Sequence, residues 1–147
     1  MKKNIILSIV ASDDGLNATD GNGGRGMGGF GSVTSEAYLC IEGGYLLVDC
    51  QGDGLDSNGN FDMKGGIALI SGPTNGGNGA LDYGDGCAGT VSGGILIATG
   101  ASGMAENFTN AQNQGAMLVG VGNCAGGTNI ALSDADGKVI ASFTPKK

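Results

Sequence analysis

Acidic and amide side chains recur beside glycine along this chain, and they are the residues with the chemistry to hold a cation. The fullest copy is Gly52-Asp53-Gly54-Leu55-Asp56-Ser57-Asn58-Gly59. Asp14-Gly15-Leu16-Asn17 precedes it. Asn78-Gly79-Ala80-Leu81-Asp82 and Ser102-Gly103-Met104-Ala105-Glu106 follow, each with one extra residue before the acid. Copies stacked at the spacing of neighbouring strands, about 4.8 Å, would place equivalent residues in ladders. One ladder would be Asp14, Asp53, Asn78 and Ser102. The other would be Asn17, Asp56, Asp82 and Glu106, with the extra residue absorbed as a bulge.

Carboxylates at that spacing repel by roughly 1 kcal/mol in water and about 3–4 kcal/mol at an effective dielectric of 20. A hard cation with oxygen ligands relieves this repulsion, and Asp, Asn, Ser and backbone carbonyls suit Ca²⁺. The expected ligands are Asp13, Asp14, Asn17, Asp53, Asp56, Asn58, Asn78, Asp82 and Glu106. The competing reading is that Asp, Asn and Gly are present because they make turns; the return of the acid at a matching place in each copy favours calcium. An EF-hand is excluded, because the sixth loop position counted from Asp56 is Phe61 where glycine is required. Toxin-type nonapeptide repeats are excluded too: Gly76-Gly77-Asn78-Gly79-Ala80-Leu81-Asp82 misses the motif by one residue, and the period here is far longer.

Some scaffold must hold these turns in line. A second marker supplies it: Gly43-Gly44-Tyr45-Leu46-Leu47-Val48, Gly65-Gly66-Ile67-Ala68-Leu69-Ile70 and Gly93-Gly94-Ile95-Leu96-Ile97-Ala98 each join a Gly pair to an apolar run. The pairs start at 43, 65 and 93, steps of 22 and 28 residues. Degenerate repeats of this length read as a solenoid whose repeats bury their apolar faces only by stacking. Residues 36–42, 45–50, 60–64, 67–71, 90–92 and 95–99 read as paired short strands bent at the Gly pairs. Residues 4–12 read as a further strand, since Ile9 to Asn17 align without a gap on Val48 to Asp56. The alternative for this N-terminal stretch is a short signal peptide, but its apolar part is brief and no Ala-x-Ala site follows. The run Gly21 to Gly31 reads as a surface glycine loop; it lacks the Gly-Lys-Ser/Thr of a phosphate loop.

Side-chain columns follow from the alignment. Leu46, Ala68, Leu96 and Val48, Ile70, Ala98 point inward, while Asp49, Ser71, Thr99 point outward. By the same period, Tyr45, Ile67, Ile95 and Leu47, Leu69, Ile97 form an outward apolar stripe, to be covered by a partner or by the C-terminal segment. Ala131-Leu132-Ser133 and Val139-Ile140-Ala141 flank Asp134-Ala135-Asp136-Gly137 as a hairpin. Cys50 falls in an inward column and Cys40 in an outward one. With Cys87 and Cys124 these allow three disulfide pairings, and no Cys-x-x-Cys suggests zinc.

Composition sets the bounds. The 147 residues make one domain, and Gly accounts for 32 of them, without the period of collagen. The net charge of −7 argues against nucleic acid and anionic membrane surfaces. No run approaches a transmembrane helix. Histidine is absent, which removes the usual general base, zinc ligand and Ser-His triad.

Asp53 to Gly59, Gly72-Pro73-Thr74-Asn75-Gly76-Gly77-Asn78-Gly79-Ala80-Leu81-Asp82-Tyr83, Ser102-Gly103-Met104 and the ending Ser142-Phe143-Thr144-Pro145-Lys146 together resemble a bacterial family of proteins containing carbohydrate-binding domains. The resemblance runs from about residue 9 to the end. It implies a secreted right-handed parallel β-helix, similar in fold to pectate lyases, that binds calcium and cellulose or acidic sugars. Family chains are longer, with more upstream rungs, and the four cysteines are a departure.

The expectation is therefore an all-β protein: a short right-handed parallel β-helix with a glycine-rich loop and a C-terminal β-hairpin, extracellular or on the cell surface, and braced by calcium. It is expected to be non-enzymatic, because lyase chemistry needs a basic proton acceptor beside the calcium. Of the two central candidates, Lys64 is read as the partner of Glu42, and Arg25 lies in the glycine loop. The partner expected is a second copy joined end to end. The alternative is a monomeric module that binds acidic polysaccharide through calcium, since Tyr38, Tyr45 and Tyr83 are few for aromatic platforms.

Overall fold

A computed structural model describes residues 5–20 and 35–147. Within them the chain is all β: β1 (Ile6–Val10), β2 (Leu16–Ala18), β3 (Tyr38–Ile41), β4 (Tyr45–Asp49), β5 (Leu55–Ser57), β6 (Asn60–Met63), β7 (Ile67–Ser71), β8 (Leu81–Tyr83), β9 (Gly89–Val91), β10 (Ile95–Thr99), β11 (Asn110–Ala111), β12 (Ile130–Ser133) and β13 (Val139–Phe143). Three parallel sheets take one strand from each successive repeat, in the orders β1-β4-β7-β10, β3-β6-β9-β11 and β2-β5-β8. Strands β12 and β13 form the expected antiparallel hairpin. The glycine loop over 21–31 and residue 4 of the expected first strand lie outside the described residues.

The Gly pairs make the corners. Gly44, Gly66 and Gly94 have φ of 88°, 85° and 87°, a left-handed turn that side chains resist. The turn recurs at the same point of each repeat, so the following strands enter the first sheet in register: Tyr45↔Ile67↔Ile95 and Val48↔Ile70↔Ala98. The N-terminal strand joins this register, with Ile9 on Val48. Backbone bonds carry the ladder past the strand ends, as from Cys50 N–H to the Ser71 carbonyl and from Gly72 N–H to the Thr99 carbonyl.

Alternation sorts the side chains. Leu46, Val48, Ala68 and Ile70 are buried, as are Phe61, Met63 and Val91 from the second sheet and Leu55, Leu81 and Tyr83 from the third. The Phe61 ring stacks on Phe108, with centroids 5.8 Å apart. Cys50 is fully buried, which pushes its thiol pKa up. All four cysteines are free thiols, so none of the three pairings is formed.

The C-terminal segment covers part of the outward stripe. Phe143, Thr144 and Lys146 face Leu47 and Leu69 across a cavity of about 160 Å³. The last two residues fasten it: the backbone N–H groups of Lys146 and Lys147 both donate to Ser71 Oγ, at 2.8 and 3.2 Å. Lys147 Nζ donates to the Cys50 carbonyl at 2.8 Å and lies 2.8 Å from Asp49 Oδ1. This fastening explains why outward-pointing Ser71 is 2% exposed. At the far end of the stripe, Ile95 remains exposed.

Candidate metal centre

The segments expected as acidic turns are instead the third sheet. Leu16-Asn17-Ala18, Leu55-Asp56-Ser57 and Leu81-Asp82-Tyr83 are strands, paired residue for residue. Their period is two: Leu55 and Leu81 point into the core, and the residue that follows points away from it. Asn17, Asp56 and Asp82 therefore form the expected second ladder, fixed by backbone pairing. The register from Leu55↔Leu81 to Asp56↔Asp82 is unbroken, so no bulge lies there.

The first ladder holds for one step only. Gly15 N–H donates to the Asp53 carbonyl, which sets Asp14 opposite Asp53, and the Asp53 N–H donates to Asp14 Oδ1 at 2.8 Å. On the other side, continuous pairing puts Gly79 rather than Asn78 opposite Asp53, and Gly79 N–H donates to Asp53 Oδ1 at 2.6 Å. The extra residue is absorbed upstream of Gly79, which moves Asn78 out of the ladder. Ser102 is exposed.

Asp14, Asp53 and Asp56 converge, each presenting a carboxylate oxygen within 4.8 Å of the others. Asn17 joins them, its Nδ2 donating to Asp14 Oδ2 at 2.9 Å and to Asp56 Oδ2. Packing at Gly52 holds the turn close: a Cβ there would collide with Asp14 Oδ1 and the Asp13 backbone, so only glycine lets the two turns approach. Asp13 itself is exposed and contributes its carbonyl, which accepts from Gly52 N–H at 3.0 Å. Asn58 points elsewhere, its Nδ2 donating to Thr19 Oγ1 at 3.2 Å.

The electrostatics follow from crowding. Burial, then the charges of Asp82, Asp14 and Asp53, push Asp56 up to about 6. Asp53, Asp82 and Glu106 are raised as well, in each case chiefly by burial. Glu106 feels the charge of Asp82 next, but no strand carries the third sheet's pairing on to it. Its Oε2 is buried without a hydrogen-bond partner among the described residues. Asp85 bears on both Asp82 and Glu106 and was missed from sequence; the signal was a further Asp-Gly pair directly after Tyr83-Gly84.

The residues fit a hard cation. Calcium takes oxygens at 2.3–2.6 Å, so two ligands on opposite sides of one ion lie about 5 Å apart, and the 4.8 Å span of the three carboxylates is within that sphere. A half-turn of the Asn17 amide would present its oxygen to the same point. Among the described residues the lysine ion pairs lie elsewhere, on Asp62 and Asp49. Lys64 is not the partner of Glu42. It sits 3.5 Å from Asp62, donates to the Tyr38 hydroxyl at 3.0 Å and lies over the Tyr38 ring. Asp62 lies two residues before Lys64 in the same repeat, and Tyr38 supplies both an acceptor and a π face. Arg25 lies outside the described residues. No family model, curated protein or solved structure matches this chain.

Proposed function

We propose that this protein is a non-enzymatic, extracellular structural module: a right-handed parallel β-helix braced by calcium along its third sheet. The reading rests on the convergence of Asp14, Asp53 and Asp56 within 4.8 Å of one another. Three buried or half-buried acids in one place cost stability unless protons or a cation neutralise them. Outside cells, calcium is abundant enough to fill sites with dissociation constants of about 10⁻⁴–10⁻³ M. Calcium at about a hundredfold over its Kd adds about 2.7 kcal/mol, a rise in Tm of about 10 °C for a chain of this size. Thermal melts in calcium and in EDTA measure it. Asp53→Asn and Asp56→Asn should each remove most of the rise, and Asp82→Ala should lower it. A wild-type Tm identical in EDTA and in 10 mM calcium would reduce the ladder to an array of polar strands.

The edge of the first sheet at β1, unpaired among the described residues, adds head-to-tail self-assembly to this reading. Ile6 and Val10 of β1 are 73% and 76% exposed, an apolar strand edge of the kind that templates further strands. A heterologous contact that does not close on itself builds a filament.

A second reading is binding of acidic polysaccharide. Bound through one oxygen each, the three carboxylates supply fewer than the 6–8 oxygens that calcium takes, so uronate carboxylates can complete the sphere. Retention on polygalacturonate should then require calcium and vanish in EDTA, with neutral glucans bound weakly. Tight, EDTA-resistant binding to a neutral glucan would place the sugar site away from these acids.

A further inference from the structure

The run Gly115-Ala116-Met117-Leu118-Val119 repeats the pattern of the first sheet's strands, in which a glycine leads into four apolar residues as in Gly94-Ile95-Leu96-Ile97-Ala98. It also follows the right predecessor. Strand β11 pairs on β9, Gln112 N–H donates to the Val91 carbonyl, and Asn113, in register with Gly93, has a left-handed φ of 62°. A fifth strand of the first sheet is due next, yet residues 115–121 belong to no strand. Ala116 packs against the core, and the chain then leaves it: Met117, Leu118, Val119 and Val121 are 56–63% exposed.

At the opposite end of the same sheet no further strand follows among the described residues. β1 is the terminal strand, pairing with β4 alone among the described residues. Its sequence, Ile-Leu-Ser-Ile-Val, carries no charge or proline to discourage pairing. Beside it the core is open: Ile5, Leu7, Leu16, Ile41 and Leu46 border a depression of about 200 Å³, and Leu7 is 46% exposed although its column is a core column.

We propose that Ala116–Gly120 of one molecule docks as a parallel strand on the β1 edge of a second copy. The occupant must be a strand, because the edge presents a row of backbone donors and acceptors. It is a second copy because this chain carries an exposed segment of the required pattern, and because docking repeats the contact that joins β4 to β7. With Gly115 set on Gly94 as in the sequence match, Met117 and Val119 would cover Leu7 and Ile9 and close the open core, while Leu118 would lie beside Ser8. This deepens the head-to-tail reading by naming its donor. A strand of five residues buries less than the roughly 800 Å² per partner of a stable complex, so assembly is reversible and concentration-dependent.

Sedimentation velocity over a hundredfold range of concentration, in calcium, tests it. The wild type should shift from monomer to larger species. Val119→Pro should stay monomeric with an unchanged Tm, since it removes an N–H that only a docked strand uses. A synthetic Gly115–Val121 peptide added to the wild type should return it to monomer by capping β1. A wild type that stays monomeric at every concentration overturns head-to-tail assembly and the donor together. Assembly that persists unchanged in Val119→Pro overturns the donor alone. A Tm lowered by several degrees in Val119→Pro would show that the segment pairs within its own chain, on β10, and would likewise overturn it.

Discussion

Stripped of divalent cations, the protein should lose stability as pH rises from 4 to 7, and calcium should abolish that loss. The cause is Asp56, held near 6 by burial and by the charges of Asp82, Asp14 and Asp53. An unfolded aspartate releases its proton near 3.9. Between those two values the folded state binds more protons than the unfolded one, so stability falls with pH. The contribution is fully present below about pH 4 and is lost as pH passes through about 6. For Asp56 alone it reaches about 3 kcal/mol. Asp53, Asp82 and Glu106 are raised too, so they act in the same direction. Urea midpoints in EDTA at each pH unit measure the slope. Asp56→Asn, which keeps the shape and removes the titration, should flatten much of it. In calcium the ion replaces the proton as the neutralising charge. A cation-free stability that stays flat over the same interval would mean that the acids are solvated and unshifted.

Phe61→Ala should be the most damaging single truncation in the core. Phe61 is fully buried on β6, stacked on Phe108 at 5.8 Å. Its neighbour across the sheet is Gly89, against which the Tyr83 ring lies so closely that a Cβ would strike it. One large ring and one absent side chain therefore fill this layer together, and nothing adjacent can expand into the space. The expected cost is about 3–5 kcal/mol, against a total stability of about 5–15 kcal/mol. Phe108→Ala should cost less, because Phe108 is only half-buried. Denaturant unfolding of both variants checks the order, and a cost below 1 kcal/mol for Phe61→Ala would show a loosely packed centre.

What the sequence made legible was whatever repeats with a fixed period. The Gly pairs placed three corners, and Leu46, Val48, Ala68 and Ile70 came out buried because apolar alternation reports directly on burial; Ala98, on the last strand of the sheet, is exposed. The third sheet was obscured by its own brevity: three residues carry too few alternations to outweigh the turn chemistry of the Asp-Gly pairs before them. That misreading still found the ladder Asn17, Asp56, Asp82, because strand stacking and turn stacking place those side chains alike. It misplaced Asn78, whose position depends on where an extra residue is absorbed. Backbone pairing decides that, and here it chose Gly79. Lys64 was assigned to Glu42 on sequence distance between repeats, whereas the choice fell to Asp62 and a ring that sequence spacing does not rank.

The fastening of Lys147 to Asp49 and Cys50 joins residues 98 and 97 positions apart, and so carries a kinetic consequence. Neighbouring repeats meet over separations of 20 to 39 residues, short enough to zip one onto the next as soon as a first pair forms. The C-terminal clasp has no such local route. Its acceptors, the Cys50 carbonyl and Ser71 Oγ, are in place only after β4 and β7 have paired, and loop closure over that length is slow. Stacking should therefore appear as a fast phase and clasping as a separate slow one. In Lys147→Ala the slow phase should shrink while the fast one keeps its rate. During synthesis the repeats would be assembled well before the residues that fasten them had left the ribosome.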